Sequence, residues 1–349
     1  VSAGRSPLYD SHAALGGRFV EFAGWDMPVQ YQGVIAEHHA VRSGVGVFDV
    51  SHLGRFRLEG AGSTDLLLEQ LCNNITHIEP GRAQYTMALT TDGGVIDDII
   101  VWRFDEERYW VVPNGVNQDD VLDLFVSKAP SGVTIESKRH DTALVAVQGP
   151  NAPALIAEVA GEAPKRFRVL ESTFDGAPLW MAGTGYTGEK GAELVIAAEH
   201  AESLWTALID AGAVPCGLGS RDTLRLEMGY PLWGQDLDRH TTPLEAGLGW
   251  VVEFDHDFIG KDALERQRTG GLGKRLVPFR MHERHIARHG YPIRAGDSTG
   301  EVASGNFSPT LDGGIGMAYL SPDPGAVEEV EIKVRGEWRA ATVSAIPFI

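Results

Sequence analysis

The chain has 349 residues, 43% hydrophobic and 22% charged; that allows two or three domains of roughly 100–200 residues and is too apolar for a disordered chain. Thirty Lys and Arg against 48 Asp and Glu give a net charge of −18, which argues against a general binder of nucleic acid or anionic membrane, since either needs a basic face. No apolar run approaches the roughly 20 residues of a membrane span, and the opening Val1-Ser-Ala-Gly-Arg-Ser-Pro7 has no apolar signal core. It also lacks an initiator Met, so the start reads as trimmed. Cys72 and Cys216 make neither a disulfide framework nor a Cys-x-x-Cys metal site, and read as two reduced thiols of a cytoplasmic-type protein.

In chain order, Gly33 to Arg42 has a helical pattern and Val45 to Val50 is an apolar stretch. Arg55-Phe-Arg-Leu-Glu59 alternates as a strand does. Ser63 can cap a helix running to Leu71, with Asp65 in its first turn. Ala83 to Leu89 and Val95 to Phe104 read as two strands joined by the turn at Thr91-Asp-Gly-Gly94. Tyr109 to Val112 is a third strand and Gln118 to Lys128 a helix, so this block is α+β. A second α/β block has strands at Ala143 to Gln148, Leu179 to Ala182 and Ala192 to Ile196. Its helices run from Asn151 to Val159, His200 to Ala211 and Ser220 to Met228, the last with Ser220 as N-cap and Asp222 at its positive end. Thr269-Gly-Gly-Leu-Gly273 reads as a linker, and from Lys274 short strands and Gly/Pro/Asp turns read as a small all-β barrel.

Three motifs bear on chemistry. Gly93-Gly-Val-Ile-Asp97-Asp98-Ile-Ile-Val101 places two carboxylates inside an apolar strand. Strand side chains alternate, so Ile96, Asp98, Ile100 and Trp102 share one face and Asp97 points to the other. A buried carboxylate is costly unless paired, so a ligand pocket and a strand-end capping role both stay open. Gly183-Thr-Gly-Tyr-Thr-Gly188 is a literal G-x-G-x-x-G, but it leads into the β-like Ala192-Glu-Leu-Val-Ile196 and not into a helix. That context argues against dinucleotide binding and leaves a loop presenting Tyr186, Glu189 and Glu193, or an ordinary hairpin. In Cys216-Gly-Leu-Gly-Ser-Arg221-Asp-Thr-Leu-Arg225, Arg221 opens a helix where an anion is favoured. Arg221 and Arg225 share a helix face, and two surface salt bridges are the alternative. His38-His39, and His282, His285 and His289, lack the geometry and acidic partner of a metal site and read as solvated surface histidines.

Taken together, the motifs resemble a family. Phe22-Ala-Gly-Trp-Asp-Met-Pro-Val-Gln-Tyr31 is similar to the opening signature of the glycine cleavage system T-proteins. So are Phe48-Asp-Val-Ser-His52, Gly94-Val-Ile-Asp-Asp98, Val147-Gln-Gly-Pro150, Thr184-Gly-Tyr-Thr-Gly-Glu189, Gly217-Leu-Gly-Ser-Arg-Asp222 and Ser304-Gly-Asn-Phe-Ser-Pro-Thr310, in family order along the chain.

The resemblance implies an α+β, three-domain, cloverleaf-like fold around a folate cavity. An interlaced α/β folate-binding domain would span 1–50 plus 140–270. An α+β domain carrying Asp98 would span 51–139, both with ferredoxin-like or antiparallel sheets, and a β-barrel would span 274–349. The implied activity is aminomethyl transfer from lipoylated H-protein to tetrahydrofolate, giving 5,10-methylenetetrahydrofolate, ammonia and dihydrolipoyl H-protein, with no metal. Its setting would be the cytoplasm, or the mitochondrial matrix in a eukaryote. Asp98 matches the catalytic aspartate of the family. Tyr85, Asn114, Tyr186, Glu193 and Arg221 fall on folate-contacting positions, and Arg288, in Ile286-Ala-Arg-His-Gly-Tyr291, falls near the lipoyl-arm entrance.

Two departures stand out. Trp102 replaces the frequent Tyr on the Asp98 face, keeping an aromatic wall and losing a hydroxyl. Relatives usually run on past Pro347-Phe-Ile349 by several residues, so tail contacts to folate would be missing or contributed differently.

Chemically, Tyr85, Tyr186 and Trp102 suit the faces of a pterin, Glu193 its aminopyrimidine edge, and Arg221 a tail carboxylate. A carboxylate with an ordinary pKa near ~3.9 is a weak base, so Asp98 would act by orienting folate N10 and offsetting developing positive charge. The alternative on the same scaffold is a folate-dependent demethylase of a small methylated sulfur or nitrogen compound. An iron–sulfur maturation factor would need a Lys-Gly-Cys-Tyr-x-Gly-Gln-Glu signature; the nearest glutamine stretch here is Tyr230-Pro-Leu-Trp-Gly-Gln-Asp-Leu237. The folate half of a flavin-dependent oxidase would need a partner domain ahead of residue 1.

Overall fold

Alternating burial along Phe56–Glu59 and Val95–Arg103 seats these strands in one sheet of a computed structural model that describes residues 3–349. That sheet has five strands in the order Arg82–Leu89, Val95–Arg103, Arg108–Val112, Phe56–Glu59 and Thr134–Ser137. A second sheet of six strands runs Val169–Phe174, Ala177–Ala182, Gly191–Ala197, Thr142–Gln148, Gly46–Asp49 and Val214–Pro215. Six further strands between Arg275 and Val343 close into the expected barrel. The fold is mixed α+β, with eight α-helices among the described residues. The chain divides into two compact units. The first comprises 1–70, 74–86 and 98–221; the second comprises 71–73, 87–97 and 222–349.

Period-two patterning decides which face of the second sheet is free. Ala143, Val145, Val147, Ala192, Leu194 and Ile196 pack with Ala152, Leu155 and Ile156 of one helix and with Leu204, Trp205 and Leu208 of another. Those helices, Ala152–Ala160 and Ala201–Asp210, present apolar residues at helical spacing. Glu193 therefore lies on the face away from the helices, beside its cross-strand neighbour Ala146, which in turn pairs with Phe48.

Several sequence expectations need correction. Ser63 and Ser220 cap nothing. The first of these helices is Ser63–Gln70, and the Ser63 hydroxyl is buried with no hydrogen-bond partner among the described residues. The Leu218–Glu227 helix starts two residues before Ser220, whose hydroxyl turns back to the Gly217 carbonyl at 2.9 Å. Thr269 and Gly270 end an α-helix, Lys261–Gly270, so the linker shrinks to Gly271–Gly273. His38 is fully buried, edge-on to His39 at 5.7 Å, and is not a solvated surface histidine. The N-terminal three-stranded sheet (Gly4–Arg5, Trp25–Gln30, Arg18–Phe22) had no sequence forecast, because its polar outer strand shows no clean alternation.

The opening motif and the Gly217–Asp222 motif meet at buried Glu37. Its Oε1 accepts backbone N–H groups of Tyr31 (2.6 Å), Gln32 (3.0 Å) and Gly33 (3.2 Å). Its Oε2 accepts the Gly217 N–H at 2.8 Å and the Ser220 hydroxyl at 3.4 Å. Glu37→Gln turns an amide NH2 toward one of these donor sets. The expected loss is about 1–3 kcal/mol, read as a lower urea midpoint at unchanged slope. An unmoved midpoint would show that the carboxylate's charge contributes nothing here.

Candidate functional site

Strand alternation turns Asp98 to the half-exposed face of Val95–Arg103, while Asp97 is fully buried on the other face. Both Asp98 oxygens are held. Tyr85 on the neighbouring strand donates its hydroxyl to Oδ2 at 3.0 Å. Asn114 donates its amide to Oδ1 at 2.8 Å and to the Asp98 carbonyl at 3.1 Å. Tyr85 and Asn114 thus fix the orientation of the carboxylate through neutral donors. No capping role remains for Asp98, since both aspartates stand inside the strand.

Asn114 begins a tight turn, closed by the Asn117 N–H on its carbonyl at 3.0 Å. That turn packs on the loop after Gly46–Asp49: the Gly54 N–H donates to the Pro113 carbonyl at 2.9 Å. A Cβ on Gly115 would lie 2.1 Å from the His52 carbonyl oxygen, so only glycine permits this approach.

A second group forms around Arg221. Its guanidinium carbon lies 4.8 Å from the Tyr186 ring centroid. Burial pulls its pKa below the ordinary value, opposed by the negative charge of Glu193 and by Tyr186. Its Nη1 is sealed from solvent and has no hydrogen-bond partner among the described residues. Glu193 is 7% exposed and accepts the Thr184 hydroxyl on Oε2 at 2.5 Å, which leaves Oε1 without a hydrogen bond among the described residues.

The glycine-rich loop is set by Gln148 of the Val-Gln-Gly-Pro motif. Gln148 donates to the Thr184 carbonyl at 3.1 Å and accepts the Thr187 hydroxyl at 2.8 Å. A Cβ on Gly185 would stand 2.0 Å from the Gln148 amide oxygen. That close packing, and not a pyrophosphate, accounts for this glycine. Glu189 is taken by Arg42 at 3.0 Å and so serves the loop.

His52 links the two groups and was missed by sequence reasoning. It lies in the loop against Gly115, and Arg221 is the largest nearby charge acting on it. Burial, reinforced by that charge, pulls its pKa down to about 3, against the pull of Asp49, so the ring is neutral at neutral pH. Its sequence signals were its place at the end of the Phe48–His52 motif and a polar ring directly after an apolar strand, neither of which assigns it a role.

Trp102 shares the Asp98 face as expected but is fully buried, 6.5 Å from the Trp110 ring, and its indole N–H has no partner among the described residues. The structure brings Tyr85, Asp98 and Asn114 together, and Tyr186, Glu193 and Arg221 together, all in the first unit. Arg288 belongs to the second unit, is exposed, and donates to the Asn306 side-chain oxygen at 2.8 Å. Arg225 is not a surface residue but is 2% exposed in a polar network of the second unit.

Residues 8–256 match the family model described as the GCVT N-terminal domain, and residues 274–349 match the glycine cleavage T-protein C-terminal barrel domain. An aminomethyltransferase of Halothermothrix orenii is 42% identical, covering 99% of both chains. One of Rubrobacter xylanophilus is 45% identical, covering 99% of this chain and 94% of the relative. The crystal structure of glycine cleavage system aminomethyltransferase T from Bartonella henselae is similar with a TM-score of 0.93 and 31% identity, covering 100% of this chain and 98% of that one.

Proposed function

The chain belongs to the glycine cleavage T-protein family, whose members are aminomethyltransferases, and from that premise we propose that tetrahydrofolate is its one-carbon acceptor and lipoylated H-protein its donor. The observation that carries this reading is the Asp98 carboxylate, fixed on both oxygens yet half-exposed. The polar atoms left over suit the acceptor. Glu193 has a spare oxygen for a planar N–H fork, and Arg221 a sealed N–H for a carboxylate or carbonyl. Tyr186 and Tyr85 offer ring faces, and Trp102, buried on the same strand face as Asp98, extends the aromatic wall.

Bound tetrahydrofolate supplies two amine nitrogens that capture the carbon as the donor's nitrogen and sulfur depart. Asp98 orients the bridging amine and offsets positive charge that develops beside it. Tyr85 and Asn114 keep the carboxylate from turning away, so no reorganisation is needed at the moment of transfer. An overall acidic chain can still bind an anionic tail, because the local field at Arg221 decides.

Arg288 is assigned to the lipoyl-arm entrance. The domain division 1–50 plus 140–270, 51–139 and 274–349 is kept as part of the same reading. No helix among the described residues is long and apolar enough to cross a membrane, and the two buried free thiols suit a reducing cytoplasm. The test is incubation with aminomethylated H-protein and tetrahydrofolate. Methylenetetrahydrofolate and ammonia are the expected products. Methyl-folate formed from a small methylated compound without H-protein would instead establish the demethylase.

A further inference from the structure

His52 carries more than a packing role. It is 3% exposed, its Nδ1 is sealed, and neither ring nitrogen makes a hydrogen bond among the described residues. A neutral imidazole has one N–H to give and one lone pair to fill. Buried polar atoms in native structures are paired in the large majority of cases, and an orphan calls for a ligand, a water or an ion. His12 in the same unit shows what a structural histidine looks like here. Equally buried, it spends one nitrogen on Asp49 and the other on Tyr31, both at 2.9 Å.

The orphan is also held in place. Arg139 donates to the His52 carbonyl at 2.7 Å, and Gly115 presses on that same oxygen. Phe22 lies edge-on to the imidazole at 5.3 Å. Holding a ring this firmly while leaving the sealed Nδ1 unspent costs stability, as does every buried donor or acceptor without a partner. The same cost is borne at Arg221 Nη1 and at Arg139 Nε, two further sealed orphans among the charges that act on His52.

We propose that His52 is a further folate-contacting residue: its ring hydrogen-bonds a polar oxygen or nitrogen of the bound reduced folate beside the group that Arg221 holds. Its neutrality matters, since a second positive charge next to Arg221 would repel it, whereas a neutral ring adds a directional bond without that penalty. The loop that carries His52 rests on the turn that carries Asn114, so one backbone contact registers the Arg221 group against the Asp98 group.

This inference rests on the folate reading, and its test separates the two. The histidine rings of the full-length protein are labelled with 15N and followed by long-range 1H–15N correlation while tetrahydrofolate is added. His52 is assigned as the ring signal missing from whichever of its variants folds. Binding is followed in parallel by tryptophan fluorescence. The expected result is a shift of a His52 ring nitrogen at saturation, with the His12 signals unmoved. Saturable binding with His52 unmoved overturns this inference alone, and no binding overturns the folate reading together with it. In kinetics, His52→Phe is expected to raise KM for tetrahydrofolate about tenfold with KM for H-protein unchanged, and His52→Asn or His52→Gln to recover part of the loss. An unchanged folate KM in His52→Phe, or equal rises for both substrates, would mark the residue as structural.

Discussion

Asp98→Asn is expected to bind tetrahydrofolate within a few-fold of the parent and to turn over about 10²-fold more slowly or worse, a loss of about 2.7 kcal/mol or more in transition-state stabilisation. The substitution is nearly isosteric. Tyr85 can still donate to the remaining oxygen, and Asn114 keeps its bond to the residue 98 carbonyl. What changes is the charge. A neutral amide cannot offset positive charge developing on an amine, and its NH2 meets the Asn114 NH2 where an oxygen stood before. Because the group is fixed before substrate arrives, the lost interaction belongs mainly to the transition state, so kcat falls and the folate dissociation constant hardly moves. The measurements are fluorescence titration with tetrahydrofolate and single-turnover formation of methylenetetrahydrofolate. Turnover close to the parent's would remove Asp98 from the mechanism.

Much of this site was legible because it is built on strands. Period-two alternation alone separated Asp98 from Asp97, and the structure puts one at a half-exposed face and the other in the core. The β context of Gly183–Gly188 was equally readable, and the loop does lead into Gly191–Ala197. What escaped were features whose meaning depends on distant partners. Arg225 sits at surface-like spacing from Arg221, yet its partners Asp236 and Ser304 lie 11 and 79 residues away. Ser220 has the composition of an N-cap, but Glu37, 183 residues away, fixes where that helix begins. Local propensity ranks such residues correctly only when nothing remote competes for them. His52 escaped for a related reason. A lone histidine after an apolar strand usually reads as core, and only the absence of any partner around it says otherwise.

The largest stability effect is expected at Arg225, in the polar network of the second unit. Its Nη1 donates to Asp236 at 2.9 Å and to the Tyr230 carbonyl at 3.1 Å, its Nη2 to the Ser304 hydroxyl at 2.9 Å, and its Nε to Asp222 at 3.0 Å. Asp236 is fully buried and accepts the Ser304 hydroxyl at 2.6 Å and the Leu232 N–H at 2.9 Å. Arg225→Met keeps much of the apolar volume and removes the counter-charge, so Asp236 is left buried and unpaired. Breaking a buried pair in this way costs about 3–5 kcal/mol, measured as the drop in unfolding free energy from urea titration. The pH dependence identifies the cause. Burial already holds Asp236 above the ordinary carboxylate range despite the opposing pull of Arg225 and Ser304, and loss of Arg225 raises it further. The folded variant then binds a proton more readily than the unfolded chain, so its stability falls as pH rises and recovers as pH falls. The deficit against the parent should therefore shrink on acidification from pH 7 toward pH 5, where a neutral carboxyl needs no cation. A deficit independent of pH would assign the loss to packing and not to the stranded charge.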